Sequence, residues 1–145
     1  KFWATLMQVK AITNINSIWG GLAVGQQYTT PDNSKGADFT IAHLDSNSIT
    51  ILTEGKPDKG VLGSRVEITR ASFIAALEYL YTHRHSANNP CIIASNNTMR
   101  SAGPLCVASR TPNRGTRCIN YILPILKHFN LVGINGSRPN LTWYI

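Results

Sequence analysis

Residues 116–145 read TRCINYILPILKHFNLVGINGSRPNLTWYI, and this stretch decides the fold of the C-terminal half. Its first part, residues 117–129, carries apolar side chains at the spacing of one buried helical face. These side chains are Ile119, Ile122, Leu123, Leu126 and Phe129. Pro124 marks either a kink in this helix or a junction between two helices. The pattern therefore predicts a helix that ends at Asn130.

Two short apolar segments follow this helix without a long connection. Residues 131–134 and 141–145 predict a β-hairpin around the strong turn signal Asn135-Gly136. A helix followed at once by a hairpin with a basic tip, here Arg138, is typical of the end of a winged helix. The sequence thus predicts a winged-helix-like half with a C-terminal hairpin as its wing.

Upstream of this half, a second amphipathic helix is predicted over residues 71–83. Its apolar stripe is Phe73, Ala76, Leu77 and Leu80. A hydroxyl from Thr69 or Ser72 is positioned to cap its first turn. The polar segment that follows, from Ser95 to Arg117, shows no helical pattern of its own.

The front of the chain alternates as strands do. Residues 39–42, 49–53 and 65–68 predict three antiparallel strands, with a turn at 45–48. Residues 3–13 are predicted as a short helix or strand, and the Gly- and Asn-containing segment around Trp19 as irregular. We therefore predict one α+β domain, residues 1–145, with a strand-rich part (1–68) followed by a winged-helix-like part (69–145).

The charge of the chain is strongly asymmetric. Lys and Arg outnumber Asp and Glu by 14 to 7, which gives a formal net charge of +7. No acidic residue follows Glu78, so the surplus is concentrated in the back half. Such a field attracts polyanions, of which nucleic acid is the commonest. A basic protein-interaction scaffold is the alternative that charge alone leaves open.

Other features limit the class of protein. Three cysteines without paired spacing argue against a disulfide framework and favour a reducing cytoplasm. No apolar run approaches the roughly 18 residues of a membrane span, so no membrane role is predicted. The chain begins with Lys1 and lacks an initiator Met, which suggests either a domain of a longer protein or a processed chain.

A winged helix predicts where DNA would bind. The helix before the wing enters the major groove by its N-terminal part, and the hairpin tip reaches the flanking backbone. The candidate DNA-binding residues on this basis are Arg100, Arg110, Asn113, Arg114, Thr116, Arg117, Asn120, Lys127 and Arg138. The predicted partner is double-stranded DNA, and no catalytic residue, cofactor or metal is assigned to the domain itself.

A family resemblance can be stated on these residues. Residues 116–140 look like the winged-helix part of accessory DNA-recognition domains attached to prokaryotic restriction endonucleases. Phe39-Thr-Ile, Ile49-Thr-Ile and residues 68–80 are similar to the strand-rich piece before it, so the resemblance covers residues 37–145. It implies a restriction-modification module that recognises a DNA site, including a modified one. It also implies a nuclease domain elsewhere in the full-length chain.

A nuclease site within the domain is the main rival hypothesis. Asp45, Glu54 and Lys56 occur in the order of a PD-(D/E)xK site, in which two carboxylates hold Mg²⁺ and a lysine assists the attacking water. Gly55 and Pro57 instead favour a strand that ends in a turn.

Two further hypotheses concern ligands. His83, His85 and Cys91 could bind zinc together with Cys106 or Cys118, although their spacing matches no compact zinc motif. Trp19 and Tyr28, in poorly periodic sequence, could stack on a base. Aromatic residues are more often part of a core, which is the alternative for both.

Overall fold

The computed structural model describes residues 2–145, which form an α+β fold with helices and two antiparallel sheets. The helices are α1 (Phe2–Trp19), α2 (Arg70–Thr82), α3 (Pro104–Arg110) and α4 (Ile119–His128). The strands are β1 (Gln27–Thr29), β2 (Asp38–Leu44), β3 (Ser48–Thr53), β4 (Arg65–Thr69), β5 (Cys91–Ile92), β6 (Val132–Asn135) and β7 (Leu141–Tyr144). No helix among residues 2–145 has the length and apolar character needed to cross a bilayer.

The front sheet is an antiparallel meander in the order β1-β2-β3-β4, which confirms the predicted hairpins. Phe39 pairs with Thr53 and Leu44 with Ile49, with a bulge after Ile41. The sheet also has an edge strand, β1, that the sequence did not predict, because three residues are too short to show alternation.

The back half has the connectivity of a winged helix. From α2 onward the order is α2-β5-α3-α4-β6-β7, and the second sheet has the order β5-β7-β6. Helix α3 was missed in the predicted polar segment because it is only seven residues long. Gly103 precedes it, and Pro104 occupies its first turn. The first N–H groups of a helix have no acceptor within the helix, so a proline, which lacks an N–H, is tolerated there.

Both predicted amphipathic helices are confirmed with small shifts in their bounds. The Thr69 hydroxyl accepts a hydrogen bond from the Ser72 N–H at 3.1 Å and caps α2. Pro124 lies inside α4 rather than between two helices. Its missing N–H leaves the carbonyl of Asn120 without an α-helical partner.

Helix α1 is longer than the sequence predicted, and the expected irregular segment after residue 13 is helical as far as Trp19. The asparagines that suggested a break have tertiary partners. Asn14 donates to the Tyr81 hydroxyl at 2.8 Å, and Asn16 accepts from the Arg70 guanidinium. Contacts with α2 therefore override the weak local propensity.

One continuous cluster of buried side chains spans both halves. The Trp19 ring meets the edge of Phe73 in α2 at 5.3 Å between centroids. Phe39 is fully buried between the front sheet and α4, with its ring 5.1 Å from that of Tyr121. The two parts of the chain therefore share a core and pack directly on each other.

Candidate nucleic-acid interface

Most basic side chains have no acidic partner. Within residues 2–145, one ion pair joins a Lys or Arg to a carboxylate, and it links Arg138 to Asp32 at 3.1 Å. Three other cations lie over aromatic rings: Lys10 over Tyr81, Arg70 over Trp19 and Arg84 over Trp3. The cations that remain at least partly exposed without such a partner are Lys35, Lys56, Lys59, Arg65, Arg100, Arg114, Arg117 and Lys127.

Four of these side chains line two depressions that border the α3–α4 connection. We call this surface the basic junction: Lys56, Arg65, Arg114 and Arg117. Lys56 and Arg117 line one groove of about 950 Å³ together with Asp38 and Glu54, and Arg65 and Arg114 line a separate, smaller depression together with Glu67 and Thr116. Four cations against three carboxylates leave a small positive excess in these depressions, which attracts a phosphate backbone.

A tight turn places the two arginines of the α3–α4 connection at this junction. Arg114 has a φ of 56° and Gly115 a φ of 76°, the left-handed conformation that reverses the chain. The Gly115 N–H donates to the Arg110 carbonyl at 2.9 Å, and the Thr116 N–H donates to Asn113 at 3.0 Å. The turn brings Arg114 beside β4 and Arg117 beside the β3–β4 connection.

Arg110 is part of the interior, which corrects its prediction as a DNA contact. Only 6% of the residue is exposed. Its guanidinium donates to the carbonyls of Gly115, Asn96 and Asn97 at 2.7–2.8 Å. With every nitrogen bonded inside the protein, Arg110 braces the helix-turn-helix instead of meeting a phosphate.

Asn113 is corrected in the same way, since it is 3% exposed. Its side-chain oxygen accepts from the Thr69 N–H at 2.9 Å, and its amide donates to the carbonyls of Glu67 and Thr116 at 3.1 and 3.2 Å. Asn113 thus ties the α3–α4 turn to the end of β4. Both N–H donors of this amide are used inside the protein, and its oxygen is buried and already accepts one bond.

Helix α4 is not free to enter a major groove, and this overturns the predicted docking. Tyr121 packs on Phe39, and His128 meets the ring of Tyr28 at 5.6 Å. These contacts place the front sheet over the helix face that a winged helix would insert. A major groove accepts a whole helix of about 10–12 Å diameter, which the covering strand excludes.

The other predicted contacts fall in separate places. Arg100 and Thr116 are exposed, and Thr116 lies in the depression of the basic junction. Asn120 is half-buried in a cavity beneath the wing. Lys127 is exposed at the other end of α4, in a groove beside His128. The structure therefore brings together only part of the predicted set. Arg65, at the start of β4, lies beside Arg114, and no local sequence motif predicted it as a binding residue.

The wing is docked on the front half rather than free. Asp32 accepts hydrogen bonds from Arg138 and from the Asn140 amide, and the Asn33 N–H donates to the Gly136 carbonyl at 3.0 Å. Gly136 lies so close that a Cβ there would overlap the Pro31 carbonyl oxygen. Arg138, predicted to reach DNA, is partly neutralised by Asp32.

Hydrogen bonds from its own loop and from the wing make the stability that Asp32 contributes pH-dependent. The Ser34 hydroxyl, the Asn140 amide and the Ser34 N–H lower the pKa of Asp32, because each stabilises the ionised carboxylate. A lowered folded-state pKa adds stability above the unfolded pKa of about 3.9, and this stability is lost as the pH falls.

We therefore expect Asp32→Asn to be less stable than the wild type by a constant amount from about pH 5 to 7. The difference should shrink below about pH 4, since protonation then removes the same charge from the wild type. Urea unfolding at several pH values measures it. The exposed Asp58→Asn variant is the control, and an equal pH profile for both variants would show that Asp32 does not hold the wing through its charge.

The nuclease triad predicted from sequence is not assembled. Asp45 lies in the β2–β3 turn, where it accepts the N–H groups of Asn47 and Ser48, and these bonds lower its pKa. Glu54 follows β3 at the opposite end of the same hairpin. A strand of this length separates the two carboxylates too far for one ion to bind both.

The zinc hypothesis also lacks support. Within residues 2–145, no three His, Cys, Asp or Glu side chains form a group that could hold a metal. All three cysteines are buried and unpaired, and burial raises the pKa of Cys91 and Cys118 to about 11.

The two aromatic candidates for base stacking belong to the core. Trp19 is 7% exposed, and its indole N–H donates to the Asp45 carbonyl at 2.8 Å. Tyr28 packs against Phe39, and its hydroxyl donates to Gln26 at 2.9 Å. The alternative of ordinary packing is correct for both residues.

Comparisons with known proteins found no relative of this chain. No family model matches the chain, and no curated protein or solved structure is significantly similar to it. The proposed function therefore rests on the basic junction and the surfaces around it.

Proposed function

We propose that this domain binds double-stranded DNA, chiefly through phosphates that contact the basic junction. The carrying observation is that its four cations line two depressions bordering the α3–α4 connection and have no carboxylate within 4.0 Å in the described residues. Exposed like charges without acidic partners are unusual in a passive scaffold. A phosphate backbone supplies anions at short regular intervals, and release of its counterions drives binding.

The wider role rests on the resemblance to recognition domains of restriction endonucleases. In that role the domain would position a DNA site for a nuclease domain elsewhere in the same chain. Three buried, unpaired cysteines suit a reducing cytoplasm. Because α4 is covered, recognition would use the basic junction and the cavity beneath the wing rather than a helix in the major groove.

Charge reversal at the junction tests this proposal. We expect Arg114→Glu combined with Arg117→Glu to weaken duplex binding roughly tenfold or more, because two phosphate contacts become repulsive. The slope of log affinity against log salt should fall by about 2. Fluorescence anisotropy with a short labelled duplex at two salt concentrations measures both quantities.

Lys127→Glu is the matched control, since it makes the same change on an exposed residue at the far end of α4. We expect Lys127→Glu to reduce affinity less than Arg114→Glu or Arg117→Glu does when each is made as a single change. Equal losses would point to a diffuse field, and no binding by the wild type would leave the scaffold alternative in place of the proposal.

One observation favours a nuclease as the second candidate. The β2–β3 register places Asp38 beside the Thr53–Glu54 end of the hairpin, and Asp38, Glu54 and Lys56 line the same groove as Arg117. Mg²⁺ commonly uses only one or two carboxylates together with substrate phosphates. Cleavage of duplex DNA in Mg²⁺ that is lost in Glu54→Gln but kept in Asp45→Asn would support this candidate, and absence of cleavage by the wild type would reject it.

A further inference from the structure

Helix α1 carries apolar side chains on two opposite faces. One face is buried against α2 and the rest of the core, and it consists of Met7, Ala11, Ile15 and Ile18. On the opposite face Phe2 is 83% exposed, Val9 is 55% exposed and Leu6 is 46% exposed. A surface helix normally presents charged or polar side chains to solvent on that side. We call the set Phe2, Leu6, Val9 and Thr13 the outer face.

The spacing of the outer face is that of a coiled-coil seam. Its positions are separated by four, three and four residues, which keeps them within roughly 60° of one another around an α-helix. Such a seam packs on a second helix that carries the same spacing. Trp3 and Ile12, each 37% exposed, flank the seam on either side. The outer face is therefore suited to receive one helix.

A second copy of α1 is a helix with that spacing. In an antiparallel pair with its two-fold axis between positions 7 and 8, Leu6 and Val9 of the two copies meet at the centre. Phe2 of each copy then lies against Thr13 of the other. A two-fold interface requires this property, because the same patch must complement itself on both partners.

The outer face carries no charge, and this selects the kind of partner. Lys10 is the one charged residue among Phe2–Trp19, and its ammonium lies 4.4 Å from the centroid of the Tyr81 ring, beside the seam. DNA and acidic proteins, which the net charge of +7 attracts, therefore find no cation within this face. A second copy brings the same neutral apolar surface, so no like charges meet inside the seam.

The exposed area of this side of α1 is in the range that a specific contact needs. The apolar side chains that contribute to it are Phe2, Trp3, Leu6, Val9 and Ile12. Together they expose on the order of 500 Å² on each copy, since one fully buried aromatic side chain covers about 150–250 Å². Specific interfaces begin at about 600 Å² per partner, and the threonines beside these side chains add to the contact. A pair of this size is expected to be weak, with a dissociation constant on the order of 10 µM.

We propose that two copies of this chain form a two-fold symmetric dimer through the outer face, with their α1 helices antiparallel. This inference goes beyond the proposed DNA binding and does not depend on it. No described residue of α1 lines either depression of the basic junction, so the contact itself uses none of the junction residues. The dimer would carry two basic junctions, as DNA-recognition dimers carry two surfaces for two half-sites.

Sedimentation equilibrium over protein concentrations from about 1 to 200 µM tests the dimer. We expect the wild type to change from mainly monomer to mainly dimer across this range. Leu6→Glu combined with Val9→Glu should raise the dissociation constant at least about tenfold, because carboxylates would be buried together in the seam. Both residues are exposed in the monomer, so the circular dichroism of this variant should be unchanged.

Leu62→Glu combined with Val61→Glu is the matched control. It makes the same two replacements at exposed residues of the β3–β4 connection, where Leu62 is 87% exposed and Val61 is 50% exposed. Both double variants lower the net charge of the chain equally, so a general change in repulsion between copies affects them alike. The control should keep the dissociation constant of the wild type.

Disulfide cross-linking tests the register. An equimolar mixture of Phe2→Cys and Thr13→Cys chains should cross-link on mild oxidation, whereas neither variant alone should do so. In the antiparallel pair, two copies of position 2 are separated by about 16 Å along the helix, while a disulfide needs Cα atoms within about 7 Å. The three native cysteines are buried and should not contribute.

Each other outcome overturns the inference in a distinguishable way. A monomer at every concentration would reject the dimer, and the apolar face would then serve a different partner. A dimer that survives the Leu6→Glu and Val9→Glu changes would place the contact elsewhere on the chain. Cross-linking of Phe2→Cys with itself would reject the antiparallel pairing. A dimer that binds no duplex would reject the proposed function and leave this inference standing.

Discussion

Replacing Arg110 with alanine is expected to lower the free energy of unfolding by about 3–4 kcal/mol, a large part of the stability of a small domain. Three charged hydrogen bonds to backbone carbonyls are lost, and the carbonyls of Asn96, Asn97 and Gly115 lose their donors. The α3–α4 turn should loosen as a result. Urea unfolding followed by far-UV circular dichroism measures the loss.

Two further variants test whether the loss of stability is specific to the hydrogen bonds of Arg110. Arg114→Ala removes the same kind of side chain four residues away, but it is exposed, so a change within about 0.5 kcal/mol is expected. Arg110→Lys keeps the charge without the planar fork and should fall between the wild type and alanine. Similar stability of the Arg110→Ala and Arg114→Ala variants would contradict a bracing role for Arg110.

Replacing Phe39 with alanine is expected to cost about 3–5 kcal/mol. Phe39 is fully buried between β1 and α4, in contact with the rings of Tyr28 and Tyr121. The cavity left behind would lie between the strand-rich part and the winged-helix-like part. Because both parts share this core, we expect a single unfolding transition that shifts as a whole, measured together by tryptophan fluorescence and circular dichroism.

Leu62→Ala is the control for this change, since Leu62 is 87% exposed and should lose less than about 0.5 kcal/mol. Two separate transitions in the Phe39→Ala variant would show that the parts fold independently. In that case the front sheet could leave α4, and a conventional major-groove docking of that helix would again be open. The stability experiment therefore also tests how DNA can approach the domain.

Arg110 and Arg114 show how far residue type predicts the interface. Both are arginines in one acid-free, basic segment, and the sequence assigned both to DNA. The left-handed turn at Arg114 and Gly115 leaves the Arg114 side chain exposed. It also brings the Gly115 carbonyl back to the Arg110 guanidinium, which donates a hydrogen bond to it. Such differences between neighbouring arginines depend on backbone geometry, which charge patterns do not report.

The nuclease hypothesis shows the same limit in the front sheet. Sequence order selected Asp45 because it lies near Glu54 along the chain, whereas the hairpin register brings Asp38 to that end instead. Antiparallel pairing places residues equally distant from the turn side by side. The turn at 45–48, which the sequence predicted, decides that Asp38 is the neighbour of Glu54, so pairing rather than order along the chain had to be considered.

The sequence by itself determined the periodic elements and the charge. The stripes of α2 and α4, the β2–β3 hairpin and the terminal hairpin were all predictable, because burial of one face imposes a period on the chain. The tertiary structure alone decided that β1 covers α4 and that Asp32 holds the wing through Arg138, 106 residues away. Periodicity shows which face of an element is buried against the core, but contacts between distant polar groups follow from packing of the whole chain and leave no local pattern.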